Sequence, residues 1–369
     1  MYPLPDGGEV TRFIAWTGAR IFFGFVLFLF PANVHSQALT KIQASYDGTA
    51  GFNLPIWILE STEIGKRHGF DVNTVLTRSA QSTVGLIGGS FQYAQTALQS
   101  VMTAAAQGGD LVTLGTSEFG FSYKFVARKE IRDPKQLKGG TVGVAAFGGT
   151  NHLSVRLALE KLGLSERDMT VIVAGNTAQR VQSLSIPGGM TATVLSPPAL
   201  FRAEKDGLPV LVDVREFGDY PNSSLVTTRA RIQNNPTEVR RFVRAWTEAI
   251  AFFKRNPKET QAILRKYLRL EDSEVIKATY DFFAEKLPRS PRISHKAFTL
   301  MSDGMKTFNP QAGKVTFEQV IDNRFVDDIG YFAPNRPVIS QHSGRLFRSI
   351  PAGRFGAFRP PSAGVESMS

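Results

Sequence analysis

The chain contains no cysteine in 369 residues. Disulfides, thiolate metal sites, a cysteine nucleophile and a lipid-modified N-terminal cysteine are therefore excluded. Histidine is scarce: His35, His68, His152, His295 and His342 are the five. No HExxH, GxSxG or P-loop lysine motif occurs. No apolar run reaches the ~20 residues of a membrane-spanning helix. Acidic residues are in the minority, with 32 Asp and Glu against 43 Lys and Arg and a net charge of +11. Residues 1–36 are balanced and residues 333–369 hold five Arg against Glu366, which leaves +7 spread along the body. There is no Lys/Arg block interleaved with aromatics, so the charge reads as a basic, solvated surface and not as a nucleic-acid footprint.

What is present is the composition of a soluble globular protein, 42% hydrophobic and 20% charged, long enough for two domains with sizeable cores. Arg12 and Arg20 precede an apolar run from Ile21 to Phe30, which Pro31 ends; small residues follow at Ser36 and Ala38. That order is the signature of an export signal over residues 1–36, with a retained anchor as the alternative. It predicts a periplasmic location. Residues 335–369 are rich in Pro, Gly, Ser and Arg without periodicity and read as a disordered basic tail.

Between these ends, strands and helices alternate. Strands are expected at 39–45, 70–76, 91–94 and 111–115, with helices following Pro55, Ser79–Thr83 and Gln95-Thr96. This β-α repetition predicts a parallel sheet flanked by helices. The strand-like segment 122–128 carries the chain to a second α/β unit, and 223–229 can bring it back. Within that unit, Thr141–Ala145 is an apolar strand, Phe147–Asn151 a turn of small and hydroxylated residues, and 152–162 a helix that Gly163 stops. Such a turn points free backbone N–H groups at whatever lies in front of the sheet. From Pro236 onward the chain reads as helical, with Val239, Phe242, Val243, Trp246, Ile250 and Phe253 on one stripe.

Several stretches carry a resemblance. They are Tyr93-Ala94-Gln95, the run Ala104 to Leu111, Asp133 to Gly139 followed by Val142-Gly143-Val144, Gly148-Gly149-Thr150, Leu162-Gly163-Leu164 and Leu195-Ser196-Pro197-Pro198. In this order and spacing the chain resembles the substrate-binding proteins of ABC importers in the nitrate, sulfonate and taurine group, which includes proteins similar to the thiamine-pyrimidine synthases. The resemblance covers roughly 39–330. It implies an α/β, two-lobed type II periplasmic-binding-protein fold, each lobe a mostly parallel sheet flanked by helices, with a ligand cleft between them. Lobe 1 would be 39–123 plus 227–330 and lobe 2 would be 124–226. One departure stands out: family members usually carry an acidic residue in the turn before the strand leading to Ser-Pro-Pro, and here Thr191 is at that place.

The candidate ligand-binding residues are those at the expected strand ends and helix starts. Thr49 and Phe52 lie in the first strand-end loop, and Ser79, Gln81 and Ser82 in the turn after the second strand. Gln95 and Thr96 end the third strand, and Phe119 stands ready to stack on a planar ligand or to join the core. Gly148, Gly149, Thr150 and Asn151 form the turn of the second unit, with Ser196 before Pro197. Thr150 and Asn151 suit ligand contact and helix capping alike. No catalytic residue, metal or cofactor is assigned.

Three functions are compatible with these residues. The first is a monomeric solute-binding protein that delivers a small anionic or planar organic solute (a sulfonate, nitrate, a carboxylate or a pyrimidine-like compound) to an ABC importer permease. The second is an enzyme of the pyrimidine-synthase kind, with His152 as the available base; the missing cysteines speak against it. The third is a sensory ligand-binding module.

Overall fold

The computed structural model describes residues 38–329 except Arg289. The export signal at 1–36 and the basic tail at 335–369 lie outside the described residues.

Alternation along β1 (Thr40–Asp47) buries Ile42, Ala44 and Tyr46. β2 (Phe70–Thr77) buries Phe70 and Val72 but exposes Leu76, as an edge strand does. β3 (Tyr93–Ala97) and β4 (Leu111–Thr116) are covered on both faces, which explains their continuous runs of apolar and small residues. The helices between them are α1 (Leu54–Ser61), α2 (Ile64–Arg67), α3 (Ser79–Ile87) and α4 (Leu98–Ala106). α1 has Pro at its start, where a missing N–H costs nothing.

The second unit repeats the plan. β5 (Lys124–Ala127) enters it. β6 (Thr141–Val144), α5 (Thr150–Lys161), β7 (Thr170–Val173), α6 (Thr177–Ser185), β8 (Ala192–Leu195), α7 (Ala199–Lys205) and β9 (Val210–Asp213) follow. β10 (Ser223–Thr228) returns to the first unit, and α8 (Arg229–Asn234), α9 (Pro236–Arg255), α10 (Pro257–Leu268), α11 (Ser273–Lys286) and α12 (His295–Lys306) complete the main helices.

The strands form two sheets of five, ordered β2-β1-β3-β10-β4 and β7-β6-β8-β5-β9. In each sheet three neighbours are parallel, and the fourth position holds an antiparallel strand that arrives from the other unit. β10 pairs with β3 and β4 through Ser224↔Thr96 and Ser224↔Thr116. β5 pairs with β8 and β9 through Lys124↔Leu195 and Lys124↔Asp213. The two α/β units, the two crossings and the mostly parallel sheets match the fold expected from the sequence. Two details differ. Gln95 and Thr96 end β3 instead of opening a helix, because pairing with β1 and β10 extends the ladder through them. β10 lies wholly in the first sheet, whereas a lobe boundary at 226/227 would cut it.

The first core is aromatic. Tyr93 and Phe242 stack at 3.8 Å, and Phe70 meets Phe242 edge-on at 5.3 Å. Trp57 stacks on Tyr267 at 4.6 Å, and Trp246 is fully buried. The apolar stripe of α9 thus faces α1 and the first sheet. Gly51 allows another close approach, since a Cβ there would meet the Phe283 ring at 2.2 Å. The two units also touch away from the crossings, where Phe201 of α7 meets Phe282 of α11 at 6.0 Å. Among the described residues no helix is long and apolar enough to cross a membrane. Replacing Phe242 by Ala removes the ring between Phe70 and Tyr93. It should cost about 3–5 kcal/mol in denaturant unfolding.

Candidate functional site

In both sheets the C-terminal ends of the parallel strands lead into the starts of the helices that follow. On the first side, β1 ends in Asp47. Its Oδ2 accepts from the Ser79 hydroxyl at the start of α3, from Thr96 Oγ1 at 2.8 Å and from the Ala97 N–H at 3.4 Å at the start of α4. A carboxylate of the chain itself thereby occupies two helix N-termini. Burial raises its pKa, and these three hydrogen bonds oppose the rise.

Behind Asp47 lies a closed polar network. Gln95 is buried; its Nε2 donates to Ser117 Oγ at 2.6 Å, Ser223 Oγ at 2.9 Å and Phe52 O at 3.2 Å, and its Oε1 accepts from Trp246 Nε1 at 2.9 Å. Ser82 is buried between Ser45 Oγ at 3.0 Å and Thr77 Oγ1 at 2.6 Å. Gln95 and Ser82 therefore spend their polar atoms on the fold. Gln81 is exposed and accepts from the Arg78 N–H at 3.0 Å as part of a helix cap. Thr49 is exposed. Phe52 packs its ring edge-on against Phe283 at 6.3 Å, and beside it is a cavity of about 10 Å³ that Ser117, Glu118 and Lys286 also line. Phe119 bridges to Pro221 between the two crossings, its side chain half-buried against the second core.

The crossings hold a second carboxyl. Glu118 is buried, accepting from the Ser122 hydroxyl and from Asn222 Nδ2 at 2.5 Å, and so ties the outgoing segment to the returning one. Burial pushes its pKa up to about 8, and Asp47 adds to the rise.

On the second side, Gly148 takes φ +73°, a left-handed turn that favours glycine, and Gly149 caps α5. Asn151 Oδ1 accepts from the Ala145 N–H at 2.9 Å and closes the turn. Thr150, 8% exposed, has a buried Oγ1 without a hydrogen-bond partner. Ser196 is buried at the start of α7, its carbonyl accepting from the Leu200 N–H at 3.0 Å. His152 is 7% exposed, between Phe147 and Phe308. Its Nδ1 accepts from the Gly148 N–H at 2.9 Å, which leaves Nε2 to donate to Glu166 at 2.5 Å. Both ring nitrogens hold the turn, and neither serves as a free base.

Asp47, Glu118 and Tyr123 are not among the residues expected from the sequence. Arg180, 2% exposed, donates to Gly175 O at 2.8 Å and, more weakly, to Thr177 Oγ1 and Val194 O at 3.4 Å; its Nε has no partner. Burial lowers its pKa. Burial raises the pKa of Tyr123, Arg180 opposes the rise, and the charges of Glu118 and Asp47 add to it. A readable signal existed for Glu118, a lone acid in the apolar and hydroxylated run Gly115 to Ser122. Thr191, where relatives usually have an acid, accepts from the Thr141 N–H at 3.0 Å, so a hydroxyl fills that local role.

With this geometry in place, known proteins can be compared. A family model described as "NMT1/THI5 like" matches residues 66–260, more than half of the chain. The chain belongs to the NMT1/THI5-like family. Members and neighbours agree with the fold. The riboflavin-binding protein RibY of Chloroflexus aurantiacus is 25% identical over 286 residues, covering 74% of this chain and 79% of its own. A putative binding protein of Brucella abortus is 23% identical over 223 residues, covering 57% of this NMT1/THI5-like chain and 66% of its own length, just under two thirds. The periplasmic aliphatic sulphonate binding protein SsuA of Escherichia coli superposes with a TM-score of 0.60 at 18% identity, over 74% of this chain and 93% of that one. The two-lobed α/β architecture of this NMT1/THI5-like chain is that of periplasmic binding proteins.

Two outcomes follow for the network. Gln95→Ala strips four hydrogen bonds from a buried hub and should cost roughly 2–4 kcal/mol in chemical denaturation. For Glu118 the folded pKa of about 8 lies above the ordinary 4.5. Its stabilisation is complete below 4.5 and is lost as pH rises through 8. Unfolding free energy should therefore fall by on the order of 5 kcal/mol across that window. Glu118→Gln should flatten this slope; an unchanged slope in urea titrations at several pH values would disprove the assignment.

Proposed function

We propose that the chain is an extracytoplasmic solute-binding protein that closes two lobes on a small organic solute and delivers it to an ABC importer permease. One lobe is 39–123 with 223–330, which moves β10 to its sheet, and the other is 124–222. The single observation that carries the reading is in the first turns of the helices after β6 and β7, where Thr150 Oγ1 and Arg180 Nε are two of the nine buried side-chain polar atoms that lack partners among the described residues. Such atoms are costly unless something else completes them, and a bound solute does so. The names of RibY and SsuA, a riboflavin binder and a sulphonate binder, support a solute of this general size and polarity. Closure is a hinge motion at the crossings, where Glu118 and Asn222 meet. The protein acts as a monomer in the periplasm. The contrasting enzyme reading loses its one base, because both nitrogens of His152 are engaged.

A thermal-shift screen of sulfonates, nitrate, carboxylates and pyrimidines on the purified chain tests this. Saturable stabilisation without consumption of the compound is expected, ~2.7 kcal/mol at a hundred times Kd. Thr150→Trp should abolish the shift while the ligand-free chain still melts cooperatively. Turnover of the bound compound would refute the binding role.

A further inference from the structure

The two crossings clamp a buried carboxyl between them. Glu118, 3% exposed, lies in the outgoing segment. Its Oε1 accepts from the Ser122 hydroxyl just before β5, and its Oε2 accepts from Asn222 Nδ2 at 2.5 Å just before β10. Backbone bonds join the same two segments. The Asn222 N–H donates to Glu118 O at 3.0 Å, the Ser117 N–H to Ser223 O at 2.8 Å and the Gly120 N–H to Tyr220 O at 2.8 Å. Beside this clamp two glycines meet, one from each crossing. Gly120 and Gly218 take φ +83° and +120°, and a Cβ on Gly120 would lie 3.4 Å from Gly218 O. Backbone of this kind absorbs the rotation of a hinge.

The surroundings of Glu118 do little for a charge. Both of its side-chain partners are neutral donors. The ionisable groups around it are Asp47 at the end of β1, which disfavours its ionisation, Tyr123 just before β5, and Lys286 of α11. Lys286 lines the same cavity of about 10 Å³, the space of about one water. The first loop contributes Phe52 to that cavity, α9 contributes Phe253 and α11 also contributes Phe283, all uncharged. Helix α11 connects the cavity to the interlobe contact away from the crossings. Phe282, next to Phe283, meets Phe201 of α7 at 6.0 Å and lies 4.5 Å under the Arg215 guanidinium, which is paired with Asp213. A protonated carboxyl is satisfied in this space, whereas a carboxylate there is a buried charge without a cation on it. Parting the crossings admits the water that the ionised form requires.

We infer that Glu118 is a proton-operated lock on the hinge: its protonated carboxyl holds the two lobes together, and its ionisation, with the proton passing to water, lets them part. This rests on the hinge closure of the solute-binding reading and adds a regulation to it. The compact form keeps the proton up to the folded pKa of about 8, whereas a hydrated Glu118 loses it above the ordinary 4.5. The ratio of open to compact chains therefore rises with pH between these values and levels off above 8.

The chain has no cysteine, so a pair of spin labels can be placed without background. Leu76→Cys and Val173→Cys put them on the edge strands β2 and β7, one in each sheet, at positions that are 50% and 54% exposed. Double electron–electron resonance on the ligand-free full chain should show one interlobe distance dominant at pH 5 and a longer one dominant at pH 8.5, the ratio changing at least about tenfold. Glu118→Gln, which cannot ionise, should keep the shorter distance at both pH values, with circular dichroism verifying that each sample is folded. An unchanged distance in the folded parent chain overturns the lock, as does a Glu118→Gln chain that opens like the parent. If Glu118→Gln does not fold, the parent titration decides: a ratio that levels off above pH 8 supports the lock, and one that goes on rising to pH 9.5 assigns the opening to other groups and overturns it. A solute that binds while the distance stays fixed at every pH overturns the lock and leaves solute binding intact. A distance that neither pH nor any bound solute changes overturns hinge closure as well.

Discussion

Two strands hold this molecule together by being in the wrong unit. β5 and β10 each leave one lobe and insert antiparallel into the sheet of the other, between two strands that would otherwise be neighbours. Neither sheet is complete without the segment it receives. The exchange brings Glu118, Ser122 and Asn222 into one small space, where a buried carboxyl receives donors from both passing chains. The crossings are thus stiff in their pairing and joined by a group whose ionisation is costly. That combination suits a hinge, which must hold two bodies in register while allowing them to rotate.

The polar groups near the strand ends divide by whether the fold has used them. Gln95, Ser82, Asn151 and His152 point toward the same region and all are satisfied by backbone or side chains of the chain. Their work is to fix loops and strand ends. Asp47 goes further, placing the chain's own negative charge where a ligand's would otherwise sit. Thr150 Oγ1 and Arg180 Nε are buried without partners, as are seven other side-chain atoms among the described residues.

Function in this family is carried by sites grafted on a shared frame. The likeness to sulphonate and riboflavin binders establishes the frame. What the site binds is set by side chains that a comparison of folds does not reveal.

The amino-acid sequence by itself determined the elements and their kind. Apolar alternation in 40–47 and 70–77, the stripe of 239–253 and the glycine turn before Thr150 depend on neighbours a few residues away, and they were legible, as was the two-unit plan. Tertiary structure decided what lay across the chain. Gln95 extends a strand because β10, more than a hundred residues later, pairs beside it. Its amide is consumed by Ser117, Ser223 and Trp246, partners that no local pattern announces. Arg180 is buried because α6 folds it against the ends of β7 and β8, which no run of neighbouring residues announces. Hydrogen-bond satisfaction and charge compensation are sums over spatial neighbours, and the order of residues along the chain does not supply that sum.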